Sequence, residues 1–518
     1  MRATILALMA LFIAPGCRDT RTFGDSLAPE ERIVVLFPQA VRGQLDPRLN
    51  TRAWPGKIVH LVFEGVVSVH NERLAPRPAL AQRIHQPRPE VYEITLRPDA
   101  RFHDGSPVLA DDVLATYESV RRPSLGSPFR SLYDRIASME RLGPRRLRLT
   151  LEAPHAPFLS DLSLGVLPRR IIGPDGHLTA EPVGAGPYRI RARTGEREVV
   201  LQRFDDYWRG RPKTPYLVFK TVRDENTRLL ALLGGAADLV QNAVTPRLTD
   251  AMRARPDLQI MGRPGVAYAY LALNLRDPPL NDLRVRRAIA HAIDRKRLIH
   301  HKFRGVARAA TGMLPTGHWA YSGEVPTYPH DPALARRLLD EAGFVDPPGP
   351  APRFRLSFKT TTDKFRRNLV RLMADDLGEV GVEVDAQAVE LSTLLADAKG
   401  GNFQLYTLSW GDPSEPHLYN WLFHSDRIPT PDAPNRGGNR GAYQNPRVDA
   451  LIDAGRIATD RTTRARIYRE LQAILAQDLP YISLWHEDVV AIARTGLRGY
   501  APLPNASLFG LWQAEWTP

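Results

Sequence analysis

Two short segments of the chain carry residue types that could perform chemistry. His103 and Asp104 place an imidazole beside a carboxylate, a pair used in general acid–base catalysis, and residues 184–186 (GAG) begin like a phosphate-binding loop. Asp104-Gly105 is also a common turn pair, however. Residues 184–186 lack a third glycine, and the Pro187 that follows would interrupt the helix that a phosphate-binding loop needs. Both segments therefore predict turns.

The sequence contains none of the short motifs that mark common hydrolases. HExxH and GxSxG are both absent, and a single cysteine leaves no pair of thiols for a disulfide or a metal site. A catalytic triad assembled from distant residues would leave no such local pattern. The sequence therefore predicts a protein that is not an enzyme and has no cofactor, with an extracytoplasmic hydrolase as an alternative.

Three histidines lie in one segment rich in arginine. His291, His300 and His301 could serve as metal ligands, because neutral imidazole is a common ligand. On an arginine-rich helix, however, histidines more often are solvated or cap the helix. We therefore expect no metal site.

The loop at residues 408–420 (LSWGDPSEPHLYN) holds two carboxylates, Asp412 and Glu415. A carboxylate in a closed cleft is screened by little water, so it can hold a cationic amine strongly and select against uncharged solutes. Asp-Pro-Ser-Glu is also a turn sequence, in which the aspartate only begins the turn. From the residues alone, the turn is the simpler interpretation.

The length and the charge of the chain constrain its architecture and its partners. A chain of 518 residues exceeds the roughly 250–300 at which one hydrophobic core stops growing, so at least two lobes are expected. Basic residues number 70 against 57 acidic ones, for a net charge of +13. They are spread over nearly every segment, which indicates a solvated surface and predicts no nucleic-acid partner.

The single cysteine, Cys17, follows Gly16 and an apolar run at residues 5–14. This run is shorter than the about 20 apolar residues of a membrane-spanning helix, but it suits a secretory signal. It resembles a bacterial lipoprotein signal, which ends in Gly-Cys or Ala-Cys. We therefore predict a lipoprotein signal at residues 1–17, lipidation of Cys17 and a polar tether at 18–30. An ordinary cleaved signal is the alternative.

Hydrophobic periodicity predicts strands and helices that alternate, as in an α/β protein. Predicted strands lie at residues 33–37, 92–97, 199–201, 217–222 and 403–408, and predicted helices at 108–120, 225–233, 282–301 and 464–477. Asp282 is the expected N-cap of the third helix. No internal repeat is visible, which excludes solenoids and propellers.

Six phrases, in order along the chain, resemble the solute-binding proteins of family 5, the oligopeptide- and dipeptide-binding proteins of ABC importers. They lie at residues 92–117, 183–190 (VGAGPYRI), 203–211 (RFDDYWRGR), 270–299, 331–344 (DPALARRLLDEAGF) and 443–451 (YQNPRVDAL). The resemblance extends over residues 31–518.

This resemblance implies an α/β, two-lobed periplasmic-binding-protein fold of type II, the Venus-flytrap arrangement, with an extra subdomain in the first lobe. The first lobe would comprise residues 31–75, 180–270 and 489–518. The extra subdomain would comprise 76–179, and the second lobe 271–488. These three names are kept below.

The same resemblance assigns roles around the 408–420 loop. Asp412 would pair with the α-ammonium group of a bound peptide, with Glu415 as an alternative anchor. Four aromatic residues are candidates for the walls of the cleft, although core packing would explain each of them equally well. They are Tyr406, Trp410, Trp421 and Trp485.

The implied function is the capture of a peptide between the lobes and its delivery to a membrane permease. Ligand would shift a hinged equilibrium from open to closed forms. The expected partners are a peptide, the permease and ATPase subunits of an ABC importer, and a membrane reached through the lipid anchor. The protein would be a monomer, in the periplasm or on the outer face of a membrane. Alternative ligands in the same fold are a metal complex, haem or a sugar, and a sensor without transport is a further alternative.

Overall fold

Helices and strands alternate along most of the chain, as the periodicity predicts. A computed structural model describes residues 22–43 and 45–517. The described residues form nineteen strands, fourteen α-helices, six short 3-10 turns and one π-helical turn.

The strands are β1 Arg32–Phe37, β2 Val67–Ser68, β3 Arg77–Pro78, β4 Ala81–Arg88, β5 Val91–Leu96, β6 Ile136–Gly143, β7 Arg146–Leu151, β8 Tyr188–Thr194, β9 Glu198–Arg203, β10 Tyr216–Thr221, β11 Leu239–Gln241, β12 Leu258–Leu273, β13 Ala307–Ala309, β14 Phe354–Thr361, β15 Val382–Val389, β16 Leu405–Trp410, β17 Tyr481–Arg494, β18 Leu497–Arg498 and β19 Glu515–Trp516.

The helices are α1 Ala53–Val62, α2 Ala110–Arg121, α3 Arg130–Tyr133, α4 Phe158–Asp161, α5 Glu225–Leu233, α6 Pro246–Ala251, α7 Leu283–Ala292, α8 Arg295–Leu298, α9 Pro332–Glu341, α10 Lys364–Gly378, α11 Leu391–Gly400, α12 Leu418–Phe423, α13 Pro446–Ile457 and α14 Arg461–Asp478.

One mixed sheet runs through both lobes. Its order is β15-β14-β16-β12-β17-β11-β1-β10-β9-β8, and β13 pairs with β17 beside this path. Strands β12 and β17 are the longest, and they pair from Leu258 opposite Arg494 to Ala272 opposite Tyr481. With the predicted boundaries, β12 up to Tyr270 and β17 from Val489 belong to the first lobe, and the remaining parts of both strands to the second. The lobe boundaries at 270/271 and 488/489 stay a prediction.

Both faces of this sheet are covered in the first lobe. Along β1, Ile33, Val35 and Phe37 join one hydrophobic cluster, while Val34 and Leu36 join another on the opposite face. This explains why residues 33–37 read as an unbroken apolar run, since a strand that is buried on both sides needs no polar alternation. The predicted strand is confirmed.

The second lobe repeats this arrangement. Leu271 and Leu273 of β12 belong to one cluster, and Ala272 belongs to a second cluster on the other face. Helix α14 packs into the second cluster through residues such as Tyr468. The helix begins at Arg461, one turn before the predicted start, because the Asp460 side chain accepts a hydrogen bond from the Thr463 N–H group and caps it.

The extra subdomain has its own four-stranded sheet and core. Its strand order is β4-β5-β7-β6. Tyr92, Ile94 and Leu96 of β5 point into a cluster that also contains Val113 and Tyr117 of α2. The predicted alternation of the strand and the predicted three-and-four spacing of the helix are both confirmed.

The predicted helix at 282–301 is divided, which corrects the sequence interpretation. Asp282 caps α7 as expected, accepting a hydrogen bond from the N–H group of Arg284, but the helix ends at Ala292. Ile293 is extended, and Asp294 then caps the new helix α8. An aspartate that can accept from a backbone N–H three residues later favours a fresh start over continuation.

Residues 184–186 fix the position of α1, the helix that contributes to the candidate site. A Cβ atom at Gly184 would lie 2.0 Å from the carbonyl oxygen of Val62, and one at Gly186 would lie 2.6 Å from that of Leu61. Only glycine allows so close an approach. His103 is also part of this packing, since its ring nitrogens lie within hydrogen-bonding distance of the Gly184 N–H and the Gly186 carbonyl.

The predicted tether at residues 18–30 is described only in part. Cys17 and the first four tether residues lie outside the described residues, but residues 22–30 pack on the first lobe. Gly24 donates a backbone hydrogen bond of 3.1 Å to the buried Glu198 carboxylate, and Phe23 lies edge-on to Tyr216. The second part of the predicted tether is therefore in contact with the first lobe. Among the described residues, no helix combines the length and apolar character needed to cross a membrane.

Candidate functional site

The candidate site lies where the first lobe faces the loop after β16. The Asn505 side-chain amide donates a 3.1 Å hydrogen bond to Oδ2 of Asp412. Lys57 of α1 lies close enough for its charge and that of Asp412 to shift each other's pKa. Asp412 therefore sits at a contact between the two lobes, where a solute held between them would meet it.

Asp412 is exposed to solvent although protein surrounds its carboxylate. Desolvation raises its pKa above the ordinary value, and hydrogen bonds from Ser414 and Asn505 act in the opposite direction. Both observations fit a side chain in the wall of a space between lobes: water reaches it, but few water molecules screen it. Such a carboxylate attracts a cation more strongly than one on an open surface.

Lys57 is the cation opposite Asp412. Burial lowers its pKa to about 8, and the charge of Asp412 partly offsets this effect. The Lys57 ammonium donates to the carbonyl of Ala506 and lies 5.3 Å from the ring centre of Trp54. Lys57 therefore acts on Asp412 only through its charge, because its hydrogen bond is to Ala506 in the first lobe.

Two histidines lie near Lys57: His60 is one turn further along α1, and His70 follows the helix. Nδ1 of His60 and Nε2 of His70 are 2.8 Å apart, so one ring donates a hydrogen bond to the other. Burial lowers the pKa of His60 to about 4 and that of His70 well below its usual value. Both rings are therefore neutral near pH 7. The Nδ1 atom of His70 is buried and has no partner among the described residues.

A cavity of about 300 Å³ lies next to this pair. All three parts of the protein line it, for example His60 from the first lobe, Tyr133 and Asp161 from the extra subdomain and Ser414 from the second lobe. Burial raises the pKa of Asp161 to about 7, opposed by the positive charge of Arg135. The volume is at the lower end for small-molecule sites.

Glu415, the alternative anchor, is already engaged. Its carboxylate lies 2.6 Å from the guanidinium of Arg464 and accepts a long hydrogen bond of 3.4 Å from Ser160 of the extra subdomain. An amine that bound Glu415 would have to compete with Arg464, a cation that is 8% exposed. The geometry favours Asp412 over Glu415.

The four predicted wall residues occupy different environments. Tyr406 is 0% exposed and packs against Phe403, and Trp485 is 2% exposed and packs against Phe303. The structure thus places both in cores rather than at the cleft. Trp421 is 39% exposed on α12, beside Gly438.

Trp410 is half-buried at the end of β16, two residues before Asp412. Of the four aromatic residues, it is the one adjacent in sequence to the site.

The three histidines considered as metal ligands do not form one group, although the rings of His300 and His301 lie 4.9 Å apart. His291 is buried, and its Nδ1 atom lies 2.7 Å from the carbonyl oxygen of Pro329, whereas His300 and His301 are exposed. Within the described part of the chain, no group of three or more His, Cys, Asp or Glu side chains is arranged to hold a metal ion.

Sequence reasoning missed Lys57, His60, Asn505 and Asp161. Each belongs to a segment remote from the 408–420 loop, and none carries a local motif. The only available signal was indirect: a carboxylate that binds across a cleft needs polar partners on the facing lobe.

The family described as bacterial extracellular solute-binding proteins, family 5 middle, matches residues 75–429. A probable di/tripeptide-binding protein 5 of Pseudomonas aeruginosa (strain UCBPP-PA14) is 28% identical over 449 residues, which cover 80% of this chain and 82% of that protein.

Two solved structures are similar over 94% of the chain. The oligopeptide-binding protein AppA from Bacillus subtilis, in complex with a nonapeptide, has a TM-score of 0.79 at 23% identity, with 99% of its chain covered. NikZ from Campylobacter jejuni, in complex with Ni(L-His), has a TM-score of 0.80 at 23% identity, with 100% covered. The predicted α/β periplasmic-binding-protein fold is confirmed.

Proposed function

The chain belongs to the bacterial extracellular solute-binding proteins of family 5, and from that premise we propose that it captures a peptide between its lobes and passes it to the permease of an ABC importer. In this proposal it performs no chemistry on the peptide. The observation that carries the proposal is Asp412, an accessible and poorly screened carboxylate at the contact between the lobes.

Asp412 suits the α-ammonium group of a peptide. An ammonium offers three donors, and a charge-assisted hydrogen bond to a carboxylate is about twice as strong as a neutral one. Lys57 donates to Ala506 and so does not take the place of such a ligand. The di/tripeptide and nonapeptide names among the relatives support peptides as the ligand class.

Strands β12 and β17 supply a hinge in this proposal. Their pairing shifts register between Arg263 and Ala267, a few residues before the predicted lobe boundary. A Cβ atom at Gly265 would lie 2.1 Å from the carbonyl oxygen of Glu487. An irregular ladder with a glycine at the closest approach is a suitable place for the backbone to bend between open and closed forms.

Lipidation of Cys17 is a further part of the proposal. The family description as extracellular supports export, and the apolar run before Gly16-Cys17 supports a lipoprotein signal. Expression with a labelled fatty acid tests it: the wild-type protein should incorporate label and pellet with membranes, and Cys17→Ala should do neither. A labelled Cys17→Ala protein would contradict lipidation.

Native mass spectrometry of gently purified protein, followed by thermal shifts with peptides, tests the function. Ligand at 100 times its dissociation constant should add about 2.7 kcal/mol to the free energy of unfolding. We expect peptide adducts, stabilisation by peptides and no turnover of them. Stabilisation by Ni(II) with L-histidine instead of peptides, or cleavage of the peptides, would contradict the proposal.

A further inference from the structure

A second cavity of about 300 Å³ lies in the second lobe, apart from the one beside His60. The end of α14 and the start of β17 line it, together with residues 309–313, residues 326–329 and two side chains of α12. The two cavities share no lining residue, and Tyr268 is the only described residue of this one that lies outside the predicted second lobe. We call it the second-lobe cavity.

Most side chains around the second-lobe cavity are apolar. The larger buried ones include Met313, Phe423, Leu475, Leu479 and Ile482. The exposed residues Pro326 and Thr327 also line the cavity, so solvent reaches it on that side. Its volume is at the lower end of the range for small-molecule sites. A small molecule with an apolar body therefore suits this space, because its transfer from water is favourable.

One guanidinium group lies among these apolar walls without an acidic partner. The two terminal nitrogens of Arg295 donate to backbone carbonyls, to that of Ser483 at 2.9 Å and to that of Tyr328. Burial lowers the pKa of Arg295, and among the described residues no carboxylate opposes this shift. A guanidinium has five N–H groups, so three remain for other acceptors. A desolvated cation that contacts only neutral groups favours the approach of an anion.

No acidic side chain among the described residues lines the second-lobe cavity, whereas a second cation, the exposed Lys296, does. The acids that are nearest in sequence are engaged elsewhere. Asp294 accepts a hydrogen bond from the N–H group of Arg297 and caps α8, and Asp478 accepts one of 2.6 Å from the hydroxyl of Tyr443. The charge in the cavity therefore favours an anion and disfavours an amine.

A buried hydroxyl group of the cavity also lacks a partner. Tyr419 lines the cavity and is 2% exposed, and its hydroxyl has no hydrogen-bond partner among the described residues. The hydroxyl of Tyr268, by contrast, lies 2.8 Å from Oγ of Ser483. A buried polar group without a partner destabilises the protein, and an acceptor on a ligand would relieve this cost. A carboxylate offers such an acceptor.

We infer that the second-lobe cavity binds a small organic acid, with its carboxylate on Arg295 and its apolar body against the walls formed by Leu475 and Ile482. A single carboxylate on an apolar body fits better than inorganic phosphate, which needs polar partners on all sides. The inference does not depend on the proposed function, because the cavity shares no residue with the site around Asp412. The protein would hold this acid and the solute between its lobes at separate places.

Calorimetric titration with small acids and their amides tests the inference. Phenylacetate and 4-methylpentanoate are the probes, and phenylacetamide, 4-methylpentanamide, phenethylamine and inorganic phosphate are the comparison compounds. At least one of the two acids should bind the wild type at one molecule per chain, at least about tenfold more tightly than any comparison compound. Arg295→Gln should weaken binding of that acid about tenfold or more. The control Arg337→Gln, an exposed position on α9 outside the cavity, should match the wild type.

A second variant tests the space instead of the charge. Ala476 lines the cavity from α14, so Ala476→Leu should narrow the cavity and weaken binding of the acid about tenfold while Arg295 stays in place. Thermal unfolding of each variant verifies that it is folded. If the wild type bound neither acid, or bound acid and amide equally, the organic-acid site would be overturned. Equal losses in Arg295→Gln and Arg337→Gln would also overturn it. Failure to bind peptides, in contrast, would overturn only the proposed function.

Discussion

The side-chain amide of Asn505 lies 3.1 Å from the carboxylate of Asp412, although 93 residues separate them in the chain. Asn505 belongs to the C-terminal part of the first lobe, and Asp412 to the loop after β16 in the second. The contact therefore joins the two lobes through a carboxylate that solvent can still reach. A solute bound between the lobes would have this carboxylate beside it.

We predict that Asp412→Asn distinguishes peptides by their amino end. The substitution keeps the shape and removes the charge, so free-amine peptides should bind about tenfold more weakly or worse, and N-acetylated peptides should change by less than about twofold. Calorimetric titration with both forms of one peptide measures this. Asp385→Asn, on the edge strand β15, is the control and should change neither. Equal losses for both forms would remove Asp412 as the amine anchor.

The ion pair between Glu415 and Arg464 should contribute to stability. Arg464 is buried, so Glu415→Gln leaves a guanidinium without its counter-charge and should lower the free energy of unfolding by about 2 kcal/mol. Urea denaturation measures it. The matched control is Glu470→Gln, whose partner Arg447 is exposed, and its effect should stay within about 0.5 kcal/mol. If Glu415→Gln lowered the free energy of unfolding no more than Glu470→Gln does, the ion pair between Glu415 and Arg464 would contribute no more than an exposed pair.

The raised pKa of Asp161 predicts that the stability of the protein depends on pH. Its pKa is about 7 in the folded protein against an ordinary 3.8, so the folded form holds an extra proton between these values. Its contribution to stability is therefore fully present below about pH 4 and is lost as pH rises through about 7. Asp161→Asn should accordingly be more stable than the wild type at pH 8, by up to about 4 kcal/mol, and the difference should shrink steadily as pH falls toward 4.

Thermal unfolding of both proteins over this pH range measures the difference. Asp99→Asn, an exposed position in the same extra subdomain, should follow the wild type at every pH. A constant offset between Asp161→Asn and the wild type, independent of pH, would show that Asp161 is ionised equally in the folded and unfolded chains.

Gly265 should tolerate no side chain. A Cβ atom there would lie 2.1 Å from the carbonyl oxygen of Glu487, so Gly265→Ala must force β12 and β17 apart and should cost about 1–3 kcal/mol. Gly262→Ala, three residues earlier on β12, has no atom within 4 Å of its Cβ and should have little effect. Comparison of the two by urea denaturation isolates the contact. Equal effects would show that the strands separate at no cost.

Local sequence patterns predicted helices and strands well where a single property, such as an N-cap or an apolar run, determined the structure. The helix Glu225–Leu233 has the predicted bounds, and Asp282 and the apolar strand at 33–37 behave as expected. The predicted helix at 282–301 failed at Asp294, because an aspartate can cap a new helix as readily as it can occupy an old one. Propensity alone does not distinguish these outcomes.

The site was harder to predict because its parts lie far apart in the chain. Asp412 is predicted through a resemblance, whereas Lys57 and Asn505, which lie beside it, come from the other lobe and carry no motif. Two of the four aromatic candidates, Tyr406 and Trp485, are buried for a different reason. Both faces of the main sheet are covered, so Tyr406 and Trp485 meet a core whichever way they point, and alternation along a strand gives no sign of a cleft.

The continuity of β12 and β17 also has a consequence for synthesis. Synthesis proceeds from the N-terminus and completes β1 and β11 early. Strand β17 lies between β11 and β12 in the sheet but is made after every other long strand. The edge of β11 in the first lobe therefore stays unpaired until Tyr481–Arg494 has been made. Until then the nascent chain must avoid pairing that edge with a neighbour, and a chain truncated before this strand would leave it open permanently.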